Sequence, residues 1–182
     1  MLKKIVVLLF TVVFVTSMNA QKIIAIKCGQ LLDVRTGAVN TNQTILIKDN
    51  IIESISPPGA AVKVRADTLI DLSQYFVLPG LIDCHTHVLL QGDITSEDYD
   101  VQVLKQSIPY RTIRAVRSCN NALMNGFTTI RDLGTEGAGY ADVDLKKAIN
   151  AGIIPGPRMF VSTLAINTKG IIQFGNQIIL GN

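Results

Sequence analysis

The stretch "VLPGLIDCHTHVLL", residues 77 to 90, decides how the rest of the chain is interpreted, because it places two histidines at the end of an apolar run. His85 and His87 are the only histidines among the 182 residues. The segment "LIDCHTHV" predicts a β-strand, in which residues two positions apart point to the same side. His85 and His87 therefore leave one face of the strand together with Asp83, and Ile82 and Cys84 leave the other, which suits helices packed outside a sheet.

The paired histidines suggest a metal site. Two neutral imidazoles directed at one point are half of such a site, which for zinc needs at least one more protein ligand and an open position for water. Hydrogen-bonded histidines at a strand end or in a loop are the alternative, and for a bare His-x-His pattern the commoner one. The surroundings favour the metal, because the pair ends a strand that follows Leu-Pro-Gly, and (β/α) barrels place their chemistry at strand carboxyl ends.

Beyond Pro79-Gly80 the pattern predicts strands alternating with helices, which is typical of parallel βα units. Strands are expected at residues 81–88, 127–134 and 157–162. A helix over residues 107–125 would have Pro109 in its first turn and end at Gly126. A second helix would be capped by Asp142 and end at Gly152. The predicted apolar face of the first helix consists of Ile113, Val116, Cys119 and Leu123, and that of the second of Leu145, Ala148 and Ile149.

Before this region the chain predicts a small antiparallel β unit over residues 21–76. The runs "KIIAIKC", "QTILIKD" and "IIESIS" are short and rich in β-branched residues. Asp49-Asn50 separates the second run from the third, as in a two-residue hairpin. One or two further strands are expected in "VKVRADTLIDLS", after the break at Pro57-Pro58-Gly59.

Residues 1–20 have the layout of a secretory signal peptide, with two lysines before an apolar core and small or polar residues after it. Cleavage after Ala20, or alternatively after Ser17, would leave an exported protein, periplasmic or secreted, without a stable membrane span, whereas a permanent membrane anchor is the less favoured interpretation. Cleavage would also lower the formal charge from +3 to +1. This near-neutral balance argues against a nucleic-acid partner. Cys28, Cys84 and Cys119 lie too far apart for a metal-type spacing or a dense disulfide framework.

The motifs in residues 22 to 170 resemble the amidohydrolase superfamily. "VLPGLIDCHTHV" resembles the opening signature of that superfamily, and "NGFTTIRDLGT" with "GPRMFVS" is similar to its imidazolonepropionase and Xaa-Pro dipeptidase-like branch. The resemblance implies an α/β fold, in which a small β-sandwich-type unit precedes a TIM-like (β/α)8 metal-dependent hydrolase barrel. Residues 77–182 would form the first three βα units of that barrel, an incomplete one.

The resemblance also implies roles for individual residues. His85 and His87 match the ligands of one or two divalent metals, with zinc expected. Asp83, on the same strand face, is a candidate to accept a hydrogen bond from a ligand's ring N–H. Asp132 in "IRDLG" is a second such candidate, although a carboxylate closing a strand end or turn is the interpretation we favour. The acidic stretch "GDITSEDYD" could line a substrate entrance, but a solvated loop is favoured.

The residues that complete the family's site are not identifiable in this sequence. The family uses a lysine or glutamate, two further histidines and a final aspartate, and no catalytic residue can be assigned here. A full barrel takes about 250 residues. We therefore expect the amino-terminal part of a hydrolase of amide, cyclic amide or dipeptide C–N bonds, inactive alone and acting in its complete form on a small amide or peptide. The alternatives are a noncatalytic remnant or binding module, and a chain that does not fold stably.

Overall fold

The computed structural model describes residues 21–57, 65–92 and 98–164. The predicted signal peptide lies outside the described residues, as do the middle of the acidic stretch and the last 18 residues. The chain divides into two compact units, Met1–Leu78 and Pro79–Asn182. Within the described residues no helix is long and apolar enough to cross a membrane.

The first unit contains one four-stranded sheet. Its strands are β1 (Ile23–Leu32), β2 (Val39–Lys48), β3 (Ile51–Ser56) and β4 (Thr68–Val77), in the order β3-β2-β1-β4. The predicted hairpin is confirmed, since Lys48 pairs with Ile51 across Asp49-Asn50. Asp49 adopts the left-handed φ of 55° that such a tight turn requires.

The fourth strand corrects the predicted topology of this unit. β1 pairs antiparallel with β2 but parallel with β4, so the sheet is mixed rather than antiparallel. Because a parallel neighbour cannot follow through a tight turn, β4 joins β1 only after the longer connection beyond β3. The described residues of the unit form a single sheet, and the second layer of the predicted sandwich is not among them. The small core of this sheet consists of Cys28, Leu31 and Ile45.

The second unit confirms the predicted alternation. Its elements are β5 (Leu81–Thr86), α1 (Ile108–Met124), β6 (Phe127–Asp132), α2 (Ala141–Asn150) and β7 (Arg158–Val161), with a short π-helical segment at Val101–Lys105. The strands lie in the order β5-β6-β7 and all pair in parallel. Their carboxyl ends therefore meet at one edge of the sheet, the edge that carries His85 and His87.

The helix boundaries follow from local chemistry. Ser107 caps α1, its hydroxyl accepting a hydrogen bond from the backbone N–H of Tyr110, and Pro109 lies in the first turn. Gly126 and Gly152 have φ of 90° and 69°, so both end their helices as predicted. Asp142 is not the cap of α2: the helix begins at Ala141, and Asp142 is buried in the first turn.

The apolar face predicted for α1 is partly wrong. Ile113 is 70% exposed, whereas Arg111, Ala115 and Cys119 form the buried stripe of the helix. The spacing of four residues among these three places them on one side, rotated from the predicted stripe. In β5, Ile82 and Cys84 are exposed, so the expected packing of this strand face against helices is not found among the described residues.

Candidate metal centre

His85 and His87 lie close together at the carboxyl end of β5. Their ring centroids are 5.3 Å apart, and the ring planes meet at 65°. His85 is the second-last residue of β5, and His87 follows the final strand residue, Thr86. Thr86 is tied to the neighbouring strand, because its hydroxyl donates to the carbonyl of Arg131 and its own carbonyl accepts from Leu133 N–H. The strand end is thus fixed at the residue between the two histidines.

The ring of His87 has a defined hydrogen-bond partner. Its Nδ1 lies 3.0 Å from the carbonyl oxygen of Gly134, in the loop after β6. A carbonyl oxygen only accepts, so this contact is a hydrogen bond when Nδ1 carries the hydrogen, which in the neutral ring leaves the lone pair on Nε2. Metal-binding histidines use this arrangement, in which one ring nitrogen donates to a carbonyl or carboxylate and the other binds the metal.

Glu136 brings a carboxylate to the same ring. Its Oε1 lies 3.4 Å from His87 Nδ1, and its Oε2 accepts a hydrogen bond of 2.6 Å from the hydroxyl of Tyr99. Burial and the neighbouring Glu136 raise the pKa of Tyr99 to about 12. The hydroxyl therefore remains a hydrogen-bond donor at neutral pH, and the Glu136 carboxylate is anchored at one oxygen while the other faces His87.

Asp132 ends β6 and is fully buried. Its Oδ1 accepts a hydrogen bond of 2.8 Å from the backbone N–H of Val88, the residue after His87. Its Oδ2 has no partner among the described residues. Burial raises the pKa of this carboxyl to about 6, against the lowering effect of the Val88 hydrogen bond. Asp132 thus ties the backbone beside His87 to the adjacent strand, and in the described part of the chain it makes no hydrogen bond to an imidazole of the pair.

Asp83 has a local role. One of its carboxylate oxygens, Oδ1, accepts from the backbone N–H of His85 at 3.0 Å. This bond orients the main chain before the pair. Among the described residues, no hydrogen bond joins Asp83 to either imidazole, so its proposed contact with a ligand's ring N–H is not seen.

Arg111 joins the loops that surround the pair, although it lies on helix α1. The residue is 2% exposed, and its guanidinium donates to three carbonyls, those of Leu89, Thr135 and Glu136, at 2.9 to 3.0 Å. Leu89 follows β5, and the other two follow β6. One side chain therefore holds both loops in the positions that bring Gly134 and Glu136 to His87.

The donors at this edge fit a metal ion in part. Two imidazoles, one of them with a bound N–H on the far side of the ring, are suitable nitrogen ligands. In residues 21–57, 65–92 and 98–164, however, no group of three or more His, Cys, Asp or Glu side chains could hold a metal. The described residues therefore provide two ligands and their hydrogen-bonded support, but not a closed site.

Sequence reasoning did not find Arg111, Tyr99 or Glu136. A signal for Arg111 was present, since an arginine four residues before Ala115 and eight before Cys119 lies on the buried stripe of α1. Nothing local marks Tyr99 and Glu136, which are 37 residues apart and meet only through the packing of two loops.

The chain is similar in sequence to known proteins of one family. The family model described as "Amidohydrolase family" matches residues 76–178. An ochratoxinase from Aspergillus niger is 31% identical over 154 residues, which cover 84% of this chain and 30% of that protein. An imidazolonepropionase from Pseudomonas entomophila is 40% identical over 60 residues, or 33% of this chain and 15% of that protein.

Solved structures give a similar result. The crystal structure of a Xaa-Pro dipeptidase with bound methionine in the active site matches with a TM-score of 0.70 and 29% identity, over 82% of this chain and 35% of that one. The chain therefore spans about a third or less of the length of these relatives.

Proposed function

The chain belongs to the amidohydrolase family, as its motifs predict, and on that premise we propose that it is part of a metal-dependent hydrolase of amide, cyclic amide or dipeptide C–N bonds. The observation that carries the proposal is the pairing of His85 and His87, with ring centroids 5.3 Å apart, at the carboxyl end of a parallel strand. In this proposal β5, β6 and β7 are the first three strands of a (β/α)8 barrel, whose chemistry lies at that end.

Members of this family are generally metal-dependent, and we propose zinc for this chain. Zinc accepts imidazole nitrogens readily and tolerates an open coordination position. When bound, such a metal lowers the pKa of water and polarises a substrate carbonyl. The Nδ1–H of His87, held by the Gly134 carbonyl, supports the proposal because it leaves Nε2 available.

The other residues of the edge hold this pair in place. Asp83 binds the main-chain N–H of His85, and Asp132 binds that of Val88, so the backbone is anchored before and after the two rings. Arg111 holds the loop that carries Gly134. A site prepared in this way loses less conformational entropy when it takes up a ligand.

Ligand counting leads us to propose that the 182-residue chain is inactive by itself. Hydrolysis at neutral pH requires an activated water, a base to take its proton and a polarised carbonyl. With only two histidines in the chain, the later histidine ligands of the family cannot come from these 182 residues. A noncatalytic binding module of amidohydrolase origin is the second candidate, favoured by the absence of a third donor near the pair among the described residues.

The substrate, the export and the partners of the protein are proposed as follows. The substrate would be a small amide or peptide, in keeping with the dipeptidase named among the structural relatives. Residues 1–20 would direct export and be removed by cleavage, and the near-neutral charge of the remainder would not favour nucleic acid.

Zinc binding by the full chain tests the proposal. Equilibrium dialysis should show weak binding at one site, and the double substitution His85→Ala with His87→Ala should abolish it. Cys84→Ser is the matched control, because this exposed thiol precedes His85 in the sequence and belongs to the opposite face of the strand, and it should leave binding unchanged. Binding that survives the double substitution would contradict the metal role.

Turnover gives a second result from the same protein. The zinc-loaded chain should not hydrolyse dipeptides or cyclic amides above the buffer rate. Robust metal-dependent turnover by these 182 residues would contradict the incomplete site.

A further inference from the structure

We propose that Glu136 is a positioning residue for His87: together with the Gly134 carbonyl, its carboxylate holds the ring hydrogen on Nδ1 and leaves Nε2 with the free lone pair. The inference rests on the proposed metal-binding role of His87. It adds a side chain from the loop after β6 that none of the sequence motifs singled out.

The two acceptors face the same ring nitrogen. Gly134 O lies 3.0 Å from His87 Nδ1, and Glu136 Oε1 lies 3.4 Å from it. Both oxygens only accept, and the carboxylate adds a negative charge beside the N–H. The tautomer with hydrogen on Nε2 would set an Nδ1 lone pair against two acceptors, which is unfavourable. The position of the hydrogen is therefore set by the protein on this side of the ring.

Glu136 is held in place more firmly than a surface glutamate. Its side chain is only 16% exposed, and its second oxygen accepts the 2.6 Å hydrogen bond from Tyr99. Its backbone carbonyl accepts from Arg111 at 2.9 Å. Its φ of 48° is a left-handed conformation that a glutamate adopts only when its surroundings impose it. Two hydrogen bonds, one to the carboxylate and one to the backbone carbonyl, therefore hold Glu136 beside His87.

Gly134 lies close to both groups but does not limit their approach. A Cβ added at this position would lie 3.7 Å from Glu136 Oε1 and 3.8 Å from His87 Cε1, in ordinary van der Waals contact. A side chain as small as that of alanine would therefore fit at this position, so the contribution of Gly134 to His87 is its carbonyl oxygen.

The tautomer can be measured in the metal-free chain. Two-dimensional NMR of the full ¹⁵N-labelled chain at about pH 8.5, where imidazoles are neutral, contains ring signals from His85 and His87 alone. The His85→Gln variant assigns them. We expect His87 to show a protonated Nδ1 and an unprotonated Nε2. Hydrogen on Nε2 of His87 in the unmodified chain would overturn the proposal.

Two variants distinguish the effect of the Glu136 carboxylate on the His87 tautomer from that of the Gly134 carbonyl. In Glu136→Ala and in the milder Tyr99→Phe, His87 should become a mixture of tautomers, with the larger change in Glu136→Ala, while the His85 signals stay as they are. Glu53→Gln, a half-exposed glutamate of the first unit, is the control and should change neither ring. An unchanged His87 tautomer in both variants, with an intact amide spectrum, would overturn the role of Glu136.

Zinc affinity distinguishes failure of this inference from failure of the proposed function. Loss of such supporting contacts lowers metal affinity by about 10- to 100-fold, so Glu136→Ala should weaken zinc binding by about tenfold. Equal affinity in the variant and the parent would overturn the positioning role alone. If zinc binds neither, the proposed function fails, and the tautomer measurement still decides the role of Glu136.

Discussion

The two units of the chain differ in what they bury. In the described part of the first unit, the buried side chains are apolar or small: Ala25, Cys28, Leu31 and Ile45. In the second unit, five polar or charged side chains are buried as well: Gln102, Arg111, Asp132, Thr135 and Asp142. Burying polar groups costs free energy unless they are hydrogen-bonded, and most of these bond to loops at the carboxyl edge of the sheet.

This difference shows where the fold specifies function. The first sheet is held by strand pairing and a small apolar core, which needs little more than the correct residue pattern. The edge of the second sheet is held by side chains that bind particular carbonyls and N–H groups. The histidine pair lies on that edge. Buried polar side chains of the second unit, such as Arg111 and Asp132, therefore hold the backbone around the pair.

Arg111→Met should have the largest effect on stability. The substitution keeps a long apolar stem but leaves three buried carbonyls without their donor, which should cost about 4 kcal/mol. Hydrogen exchange of the β6 amides reports on this unit and should show a large loss of protection. Arg117→Ala, an exposed arginine of the same helix, is the control and should change protection by less than about 0.5 kcal/mol. Equal effects of the two substitutions would mean that the guanidinium does not hold the loops.

Gly29→Ala should have the next largest effect and concerns the first unit. An added Cβ would collide with the backbone carbonyl of Ser73, where the β1–β4 register shifts. Because backbone cannot rotate away as a side chain can, the cost should be about 3 kcal/mol, measured as lost protection of the β1 amides.

Gly37→Ala is the matched control in the same unit. The position has open space but a φ of 75°, so it should cost only about 1 kcal/mol. A smaller loss for Gly29→Ala than for this control would show that β1 and β4 are not in close contact there.

Asp132→Asn should have a smaller effect than Arg111→Met or Gly29→Ala, and one that depends on pH. The carboxyl ionises at its ordinary value of 3.8 when unfolded, whereas burial raises the folded pKa to about 6. The folded chain therefore binds more protons between these values, and its free energy of unfolding falls as the pH rises from about 4 to about 6. Asparagine keeps the oxygen that binds Val88 N–H and should remove this fall.

The measurement is urea unfolding of the metal-free chain at pH 5 and pH 7, followed at the Met159 methyl group. At pH 7 the variant should be more stable by on the order of 2 kcal/mol. If the stability difference between the parent and Asp132→Asn is the same at pH 5 and pH 7, then burial does not raise the pKa of the Asp132 carboxyl.

Local patterns predicted most of the fold. The Asp49-Asn50 hairpin, the three parallel strands of the second unit and the glycines that end both helices follow from turn chemistry and hydrophobic periodicity. The histidine pair was found in the same way, because strand alternation brings residues two apart to one face. Each of these features depends on residues that are close in sequence.

The features that sequence reasoning missed depend on distant contacts. β4 lies parallel to β1 because of a pairing across more than 40 residues. The prediction that Ile113 is buried is wrong because the buried stripe of α1 includes Arg111. A charged residue does not count as apolar, so hydrophobic periodicity does not indicate that stripe. Glu136 reaches His87 across two loops, and no spacing in the sequence encodes that approach.

The most direct test of the central claim is to observe the histidine rings while zinc is added to the full chain. If the carboxyl end of β5 carries half of a metal site, the Nε2 signals of His85 and His87 should shift together and saturate at one zinc per chain, with Nδ1 of His87 still protonated. Zinc that shifts neither ring, or only one of them, would contradict a shared site at this edge of the sheet.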